Sequence, residues 1–424
     1  MKQQPIGQFG KVLIQFASTQ VVTSVMSILA GFLVVSKLDP SEYGQFNGVG
    51  VYMGYILLGH GGILNGLNRE LPYELGRKND AYARELASST YVVSSLLSGL
   101  SALIFLVISL KCLFLGQTLT GFIYLSYVVI GGLYLMNKQF LPSLYRTNSD
   151  FSSLSKQNLY VGISNLLTVA FVYLFGLYGM LARGAFQAIF EFFLLQKNKP
   201  YRLDFTIQKE HLKKLFKTGF PIYLVGQVNN IWVTVMNNLL FVKGGPTNYG
   251  LYALANMLLG ITGVIPNAFG QVIYPRMNIM LGEGCSYNTL IKANLKPLYL
   301  QFALLMGMAI TGALLLPIFI PWLLPKYVAG IAPAQWMLFV PAVQAFGSLN
   351  NLYNVVKHQR WYFVSLITGA IVGAGYVFIR YQLEGFNLVI FPQGLLLGNF
   401  VQQALSLAFL PTLKGVLDAR NKSE

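Results

Sequence analysis

Of 424 residues, 54% are apolar and 10% carry a formal charge, whereas soluble globular chains run about 25% charged. With a mean hydropathy of +0.55, so few charges cannot cover a surface in water, and the composition excludes a soluble globular domain in favour of a bilayer as solvent. The 30 Lys and Arg against 14 Asp and Glu leave a net charge of +16. Those cations fall in short islands between apolar runs rather than on one basic, aromatic-rich face, which excludes a nucleic-acid footprint.

A hydrocarbon core about 30 Å thick takes about 20 apolar residues per helix. Twelve such runs are predicted, near 12–36, 46–67, 86–110, 115–137, 157–177, 178–196, 219–242, 249–274, 297–320, 334–356, 360–380 and 386–411. The first follows Lys2 and Lys11 but is too long for a signal-peptide core and lacks a small-residue cleavage motif, so it is expected to be an uncleaved helix. The fifth and sixth share one apolar stretch, divided at Tyr178-Gly179. Between the sixth and seventh, residues 197–217 form a basic linker whose Gln208–Lys217 portion reads as an amphipathic helix on the inner surface.

Cation placement orients these runs. Lys37, Lys111, Lys243, Lys326 and Arg380 are the five cations of the outer segments, Arg183 lies within a helix, and the other 24 fall inside. That asymmetry follows the positive-inside bias and places both termini in the cytoplasm.

The chain also repeats. Pro40-Ser41-Glu42-Tyr43-Gly44 follows the first helix, and Pro246-Thr247-Asn248-Tyr249-Gly250 follows the seventh, 206 residues later. Lys11 and Lys217 share that offset, as do Gly76 and Gly282. Two six-helix halves of like orientation would produce this pattern, and parallel repeats are a known transporter plan. The expected domains are therefore 1–196, the linker 197–217, and 218–424.

The chemistry of most enzymes is missing. No Gly-x-x-x-x-Gly-Lys-Ser/Thr phosphate loop occurs, no carboxylate pair is spaced for acid/base work within the membrane, and the outer segments are short. Cys112 and Cys285, 173 positions apart, define no disulfide framework or zinc site. Three histidines without His-x-x-x-His spacing suggest no metal centre. A transporter without a cofactor is expected.

Several motifs then resemble one family. They are Leu38-Asp39-Pro40-Ser41-Glu42-Tyr43-Gly44-Gln45-Phe46, Gly66-Leu67-Asn68-Arg69-Glu70-Leu71-Pro72 and Leu141-Pro142-Ser143-Leu144-Tyr145-Arg146. Lys217-Thr218-Gly219-Phe220-Pro221, Tyr274-Pro275-Arg276 and Leu324-Pro325-Lys326-Tyr327 complete the set. In order and position they resemble the O-antigen (Wzx-type) flippases of the polysaccharide-transport branch of the multidrug/oligosaccharidyl-lipid/polysaccharide (MOP) exporter superfamily. The resemblance implies an all-α, MATE-like polytopic protein of two six-helix lobes in a bacterial inner membrane. It implies translocation of an undecaprenyl-pyrophosphate-linked oligosaccharide to the periplasmic leaflet by lobes that open alternately to each side. It implies a monomer among membrane lipids, and leaves open an association with glycan polymerase machinery. A small-molecule exporter on the same scaffold is the first alternative; a membrane glycan polymerase or ligase is the second.

Such a cargo calls for cations at its phosphates and neutral hydrogen-bonding groups at its sugars. Charge within the membrane is costly, which singles out Arg183, with Glu191 eight residues on as its partner or as a proton carrier; the plain alternative is that both snorkel. Arg69, Arg146 and Arg276 end helices on the inner side, where guanidinium forks suit pyrophosphate, although the positive-inside bias also explains them. Gln227, Asn230, Thr234 and Asn238 form one polar stripe on the seventh helix, enriched by Asn229 and Asn237. Gln344, Ser348 and Asn351 do so on the tenth, and Gln15, Thr19, Thr23 and Ser27 on the first. Amides suit sugar hydroxyls, while packing between helices is the competing use. His60, within Gly59-His60-Gly61-Gly62, could titrate as a coupling group or simply pack. The acidic residue that related drug exporters carry in helix one has no counterpart between Lys11 and Asp39.

Overall fold

The computed structural model describes residues 6–148, 150–282, 285–356 and 358–423, and the side chains of Asn229 and Arg276 lie outside the described residues. The chain is 89% helical with no strands among the described residues. Backbone groups in hydrocarbon must be satisfied within the segment, which only a helix or a closed barrel achieves.

The helices run α1 (Ile6–Lys37), α2 (Pro40–Gly50), α3 (Tyr52–Leu58), α4 (Ile63–Gly76) and α5 (Asp80–Phe114). Next, α6 (Thr118–Leu135) passes through a π-helical turn, Met136–Phe140, into α7 (Leu141–Thr147). They continue as α8 (Phe151–Leu167), α9 (Val169–Lys197), α10 (Lys209–Gly282) and α11 (Tyr287–Leu323). The remainder is α12 (Ile331–Gln344), α13 (Asn351–Val355), α14 (Arg360–Glu384), α15 (Ile390–Phe409) and α16 (Thr412–Ser423).

Among the described residues, eight helical stretches are long and apolar enough to cross a membrane, and the protein is a multi-pass membrane protein. The other expected runs are helical too. Residues 46–67 are divided over α2, α3 and α4, 157–177 over α8 and the start of α9, and 386–411 coincides with α15. Runs 219–242 and 249–274 share α10, whose helical path Gly245 interrupts (φ 74°, ψ 176°). Asp39, before α2, and Gly245 are 206 positions apart, so the break after the first helix and the break within α10 occupy equivalent places in the repeat.

One boundary is corrected. The division expected at Tyr178-Gly179 falls at Gly176, which adopts φ 56° and ψ −131° within α9, a conformation that side-chain-bearing residues rarely adopt. Gly179 serves a different purpose: a Cβ there would lie 1.8 Å from the Phe171 carbonyl oxygen. It lets two backbones touch, and a glycine required for contact reads in sequence like one required for a break.

Contacts divide the chain into two compact units, Met1–Asn238 and Leu239–Glu424. In the first, one core gathers Leu67, Leu71, Leu86, Phe140, Leu144 and Leu215, and another gathers Val34, Phe46, Phe105, Tyr127 and Val172. In the second, Met277, Leu290, Leu352, Tyr353 and Leu413 pack together. Polarity is inverted relative to a water-soluble helix. On α5, Ser94, Ser98, Ser101 and Ser109 are buried, while Leu96, Leu100, Leu103 and Val107 are exposed. Small residues inside allow close helix approach, and large apolar ones face lipid.

Residues 197–217 lie within the first unit, and 209–217 form the first turns of α10. Polar contacts hold this segment onto α4 and α5. Lys214 Nζ pairs with Glu74 at 3.0 Å and Glu70 at 3.3 Å, and sits over the Tyr82 ring. Arg84 pairs with Asp204 at 2.8 Å. The buried His211 ring contacts Ser89 Oγ at 3.3 Å and the Glu85 carboxylate at 3.6 Å. Beneath these pairs the backbones meet: a Cβ on Gly66 would lie 2.1 Å from the Leu215 carbonyl oxygen. Burial works against the charge on Lys214, but its hydrogen bonds to Glu74 and Glu70 outweigh that, and its pKa rises above the usual 10.5.

Two outcomes follow for the detergent-solubilised protein. Gly66→Ala should destabilise it by about 1–3 kcal/mol, as overpacking does, read as a lowered melting temperature. Gly99→Ala, where nothing lies within 4 Å, should leave that temperature unchanged or slightly raised. Lys214→Met should cost about 1 kcal/mol, since the pair is partly exposed. Because the folded-state pKa of Lys214 is raised, its contribution is fully present below the unfolded value and is lost as pH climbs through the folded one. The melting-temperature gap between parent and Lys214→Met should therefore stay constant from about pH 6 to 9 and narrow above about pH 10.4.

Candidate functional site

Of the twelve predicted apolar runs, 178–196 alone holds formal charges away from its ends, Arg183 and Glu191, and these mark the candidate site. Arg183 lies on α9, seven residues beyond the Gly176 break, and is half-buried. Its Nη2 donates to the Asn165 side-chain oxygen in a short hydrogen bond, and to the Asn165 backbone carbonyl at 3.4 Å. Asn165, on α8, in turn donates to Ser27 Oγ of α1 at 3.4 Å. One turn further along α9, Gln187 donates to Ser164 Oγ at 3.0 Å and to Thr168 Oγ1 at 2.9 Å. The result is a polar seam between α8 and α9 with a cation at its centre. No carboxylate pairs with Arg183 among the described residues, and its buried Nε has no hydrogen-bond partner. An amide holds the guanidinium in place without neutralising it.

Glu191 is engaged elsewhere. Lys138 Nζ donates to its two carboxylate oxygens at 2.8 and 2.7 Å, so its ion-pair partner is Lys138 rather than Arg183. The π-helical turn brings this about, because it presents consecutive residues to α9. Asn137 Nδ2 donates to the Ala188 carbonyl at 2.8 Å while Lys138 reaches Glu191. Two turns on, the fully buried Tyr145 donates from its hydroxyl to the Leu195 carbonyl at 2.7 Å. Insertions of this type recur at functional sites.

Arg69 on α4 and Arg146 on α7 are exposed. Neither is joined to Arg183 by a hydrogen bond or an ion pair, and the side chain of Arg276 lies outside the described residues. The stripe on α10 is half-buried at Gln227, Thr234 and Asn238 and exposed at Asn230. Asn230 donates to Gln227 Oε1 at 3.2 Å, so these two amides bond along their own helix. Thr234 packs on Gly54, where a Cβ would lie 2.3 Å from its hydroxyl.

In the second unit the amides reach across helices. Gln344 donates to Asn399 Oδ1 at 3.1 Å, and the buried Asn350 donates to Gln403 Oε1 at 2.9 Å and accepts from Ser406. Asn351, next to Asn350, is half-buried. His60 is buried and accepts at Nδ1 from the Gly62 backbone N–H at 3.0 Å. Its ring meets Tyr223 edge-on at 5.2 Å. No group of three or more His, Cys, Asp or Glu could hold a metal among the described residues.

The sequence reading passed over Asn165, Gln187, Asn137 and Lys138. A signal existed for two of them: Asn165 is an amide inside an apolar run, and Gln187 follows Arg183 at helical i+4 spacing. The Lys138–Glu191 pair joins positions 53 apart and carries no local signature.

The fold is that of MATE transporters. An inward-facing multidrug resistance MATE family transporter of the MOP superfamily superposes with a TM-score of 0.72 at 16% identity, over 93% of this chain and 96% of that one. The outward-facing structure of a multidrug resistance MATE family transporter gives 0.63 at 15% identity, over 96% of each. A MATE protein in its bent conformation gives 0.62 at 15%, over 98% of this chain and 96% of that one. No curated protein matches the chain. The family described as "Polysaccharide biosynthesis protein" matches residues 10–280. The chain belongs to that family, which comprises flippases of the MOP superfamily.

A double-mutant cycle tests the Lys138–Glu191 pair. Lys138→Met and Glu191→Gln should each lower the unfolding free energy, with a coupling of about 1 kcal/mol between them. Additive effects in thermal unfolding would dissolve the pairing.

Proposed function

We propose that this protein flips an undecaprenyl-pyrophosphate-linked oligosaccharide of the O-antigen repeat type from the cytoplasmic to the periplasmic leaflet. It does so by alternating access in a bacterial inner membrane, with both termini cytoplasmic. Membership of the polysaccharide biosynthesis family carries this reading, and the MATE fold supports a transport cycle in place of catalysis.

The site geometry supports it in a second way. A pyrophosphate is a dense anion and needs a cation that is not already neutralised. Arg183, held by Asn165 with Nε unpartnered, meets that need, and a guanidinium offers a planar fork to phosphate oxygens. Arg69 and Arg146, exposed and without ion-pair partners among the described residues, supply further cations along the entry route, with Arg276. Gln227, Asn230, Thr234 and Asn238 offer donors and acceptors to sugar hydroxyls; in the second unit, taken by itself, Gln344 is bonded to Asn399 and the half-buried Asn351 is the amide left for that use. Glu191 and His60 are both satisfied by protein partners, which makes them poorer candidates for coupling than for packing.

The test is deletion and complementation in the native host. Deletion should strand lipid-linked repeat units on the cytoplasmic side, and the parent gene should restore surface glycan. Loss of a charge-assisted contact of about 1.5–3 kcal/mol predicts that Arg183→Ala lowers export about 10- to 100-fold at matched expression. Arg183→Lys, which keeps the charge but loses the fork, should fall between parent and Ala. Normal surface glycan after clean deletion, with raised drug sensitivity, would instead place the protein among small-molecule exporters.

A further inference from the structure

The C-terminal end of α9 carries a feature that the transport path leaves unused. A cavity of about 370 Å³ opens there, lined by Phe190, Phe193, Leu194, Gln196, Lys197 and Lys199. Positions 190, 193, 194 and 197 share one face of a helix, so the cavity is a notch along α9 and the turn that follows. Its two ends differ in chemistry. Phe190 stacks on Phe186 at 5.8 Å with the rings nearly parallel, and Phe193 is 65% exposed, so the floor is aromatic and open to the bilayer. Lys197 and Lys199 close the other end, where the apolar span Val169–Lys197 stops.

Among the described residues, neither lysine is neutralised by a carboxylate. Lys199 Nζ donates to Gln196 Oε1 at 2.9 Å and lies 5.8 Å over the Tyr91 ring, which fixes its charge at the rim. Lys197 is exposed and has no ion-pair partner among the described residues. Glu191, the carboxylate nearest Lys197 in sequence, is bound to Lys138, and Asp204, the one nearest Lys199, is bound to Arg84. No acidic side chain lines the notch.

We infer that this notch binds an anionic phospholipid, with an acyl chain along Phe190, Phe193 and Leu194 and the phosphate between Lys197 and Lys199. An aromatic trough that ends in two unneutralised cations at headgroup depth complements an amphiphile of that polarity. Basic pockets at helix ends recruit anionic lipids in this manner. The volume falls within the roughly 300–1,000 Å³ of small-molecule sites, enough for part of one acyl chain and its headgroup and too small for an oligosaccharide. A zwitterionic headgroup brings no net charge to the two lysines. The proposal stands whatever cargo the protein moves.

Photolabelling in phosphatidylcholine nanodiscs tests it, with phosphatidylglycerol carrying a diazirine in its acyl chain as the probe and labelled residues mapped by mass spectrometry. Labels are expected on Phe190, Phe193 and Leu194, removed by excess unlabelled phosphatidylglycerol. Labelling should fall about fivefold for Lys197→Ala and about 30-fold for the double variant with Lys199→Ala, and Lys197→Arg should restore it. Lys197 is exposed and unpaired, so its variants read charge without disturbing the fold. Equal labelling by diazirine phosphatidylcholine, or indifference to the double variant, would reduce the notch to ordinary lipid contact. Displacement by undecaprenyl pyrophosphate but not by phosphatidylglycerol would assign it to the cargo's own tail. Either result overturns the proposal.

Discussion

Hydrocarbon offers no hydrogen bonds, and this single deprivation organises the protein. Every backbone amide at membrane depth must find its partner within its own helix, so the described chain is helical and its helices are long. Where the path must break, the residue that breaks it is chosen for conformational freedom, as at Gly176 and Gly245. The same solvent turns the packing inside out. α5 buries its serines and displays its leucines, because lipid rewards large apolar surface and close helix contact needs small side chains.

Charge is the second consequence. A formal charge in or beside hydrocarbon needs a local solution, and three are visible in the first unit. Lys138, in the π-helical turn after α6, and Glu191 of α9 neutralise one another. Lys214 sits at a helix end and gathers Glu70 and Glu74, fastening the start of α10 to α4. Arg183 is solvated by Asn165 and has no carboxylate partner among the described residues. The first two solutions consume the charge for structure. The third does not consume the charge in an ion pair among the described residues, which is why Arg183 is the cation proposed to meet the pyrophosphate.

Amides divide in the same way. In the second unit, Gln344 with Asn399 and Asn350 with Gln403 bridge α15 to the segment around α12 and α13, an arrangement that joins helices where the hydrophobic effect is weak. On α10, Gln227 and Asn230 bond along their own helix, and Asn230 remains exposed. Residues of one chemical type, read identically in sequence, thus become joints in one place and an open polar surface in another. Exposure makes the difference, and exposure depends on which neighbour arrives.

Hydropathy was enough to establish the helical class, the multi-pass character and the approximate place of each run. Each of these is an average over about twenty residues of one chain segment, and averages survive local error. The family motifs were legible for a similar reason, since they lie in short contiguous stretches such as Pro40–Phe46 and Leu141–Arg146. Partnership was not legible. That Glu191 would meet Lys138, that Asn165 would hold Arg183, and that Gly179 would admit a carbonyl while Gly176 turned the chain all depend on packing between segments far apart in sequence. Hydrogen bonds and ion pairs act over about 3 Å, so which residues share them is decided only when the helices come together.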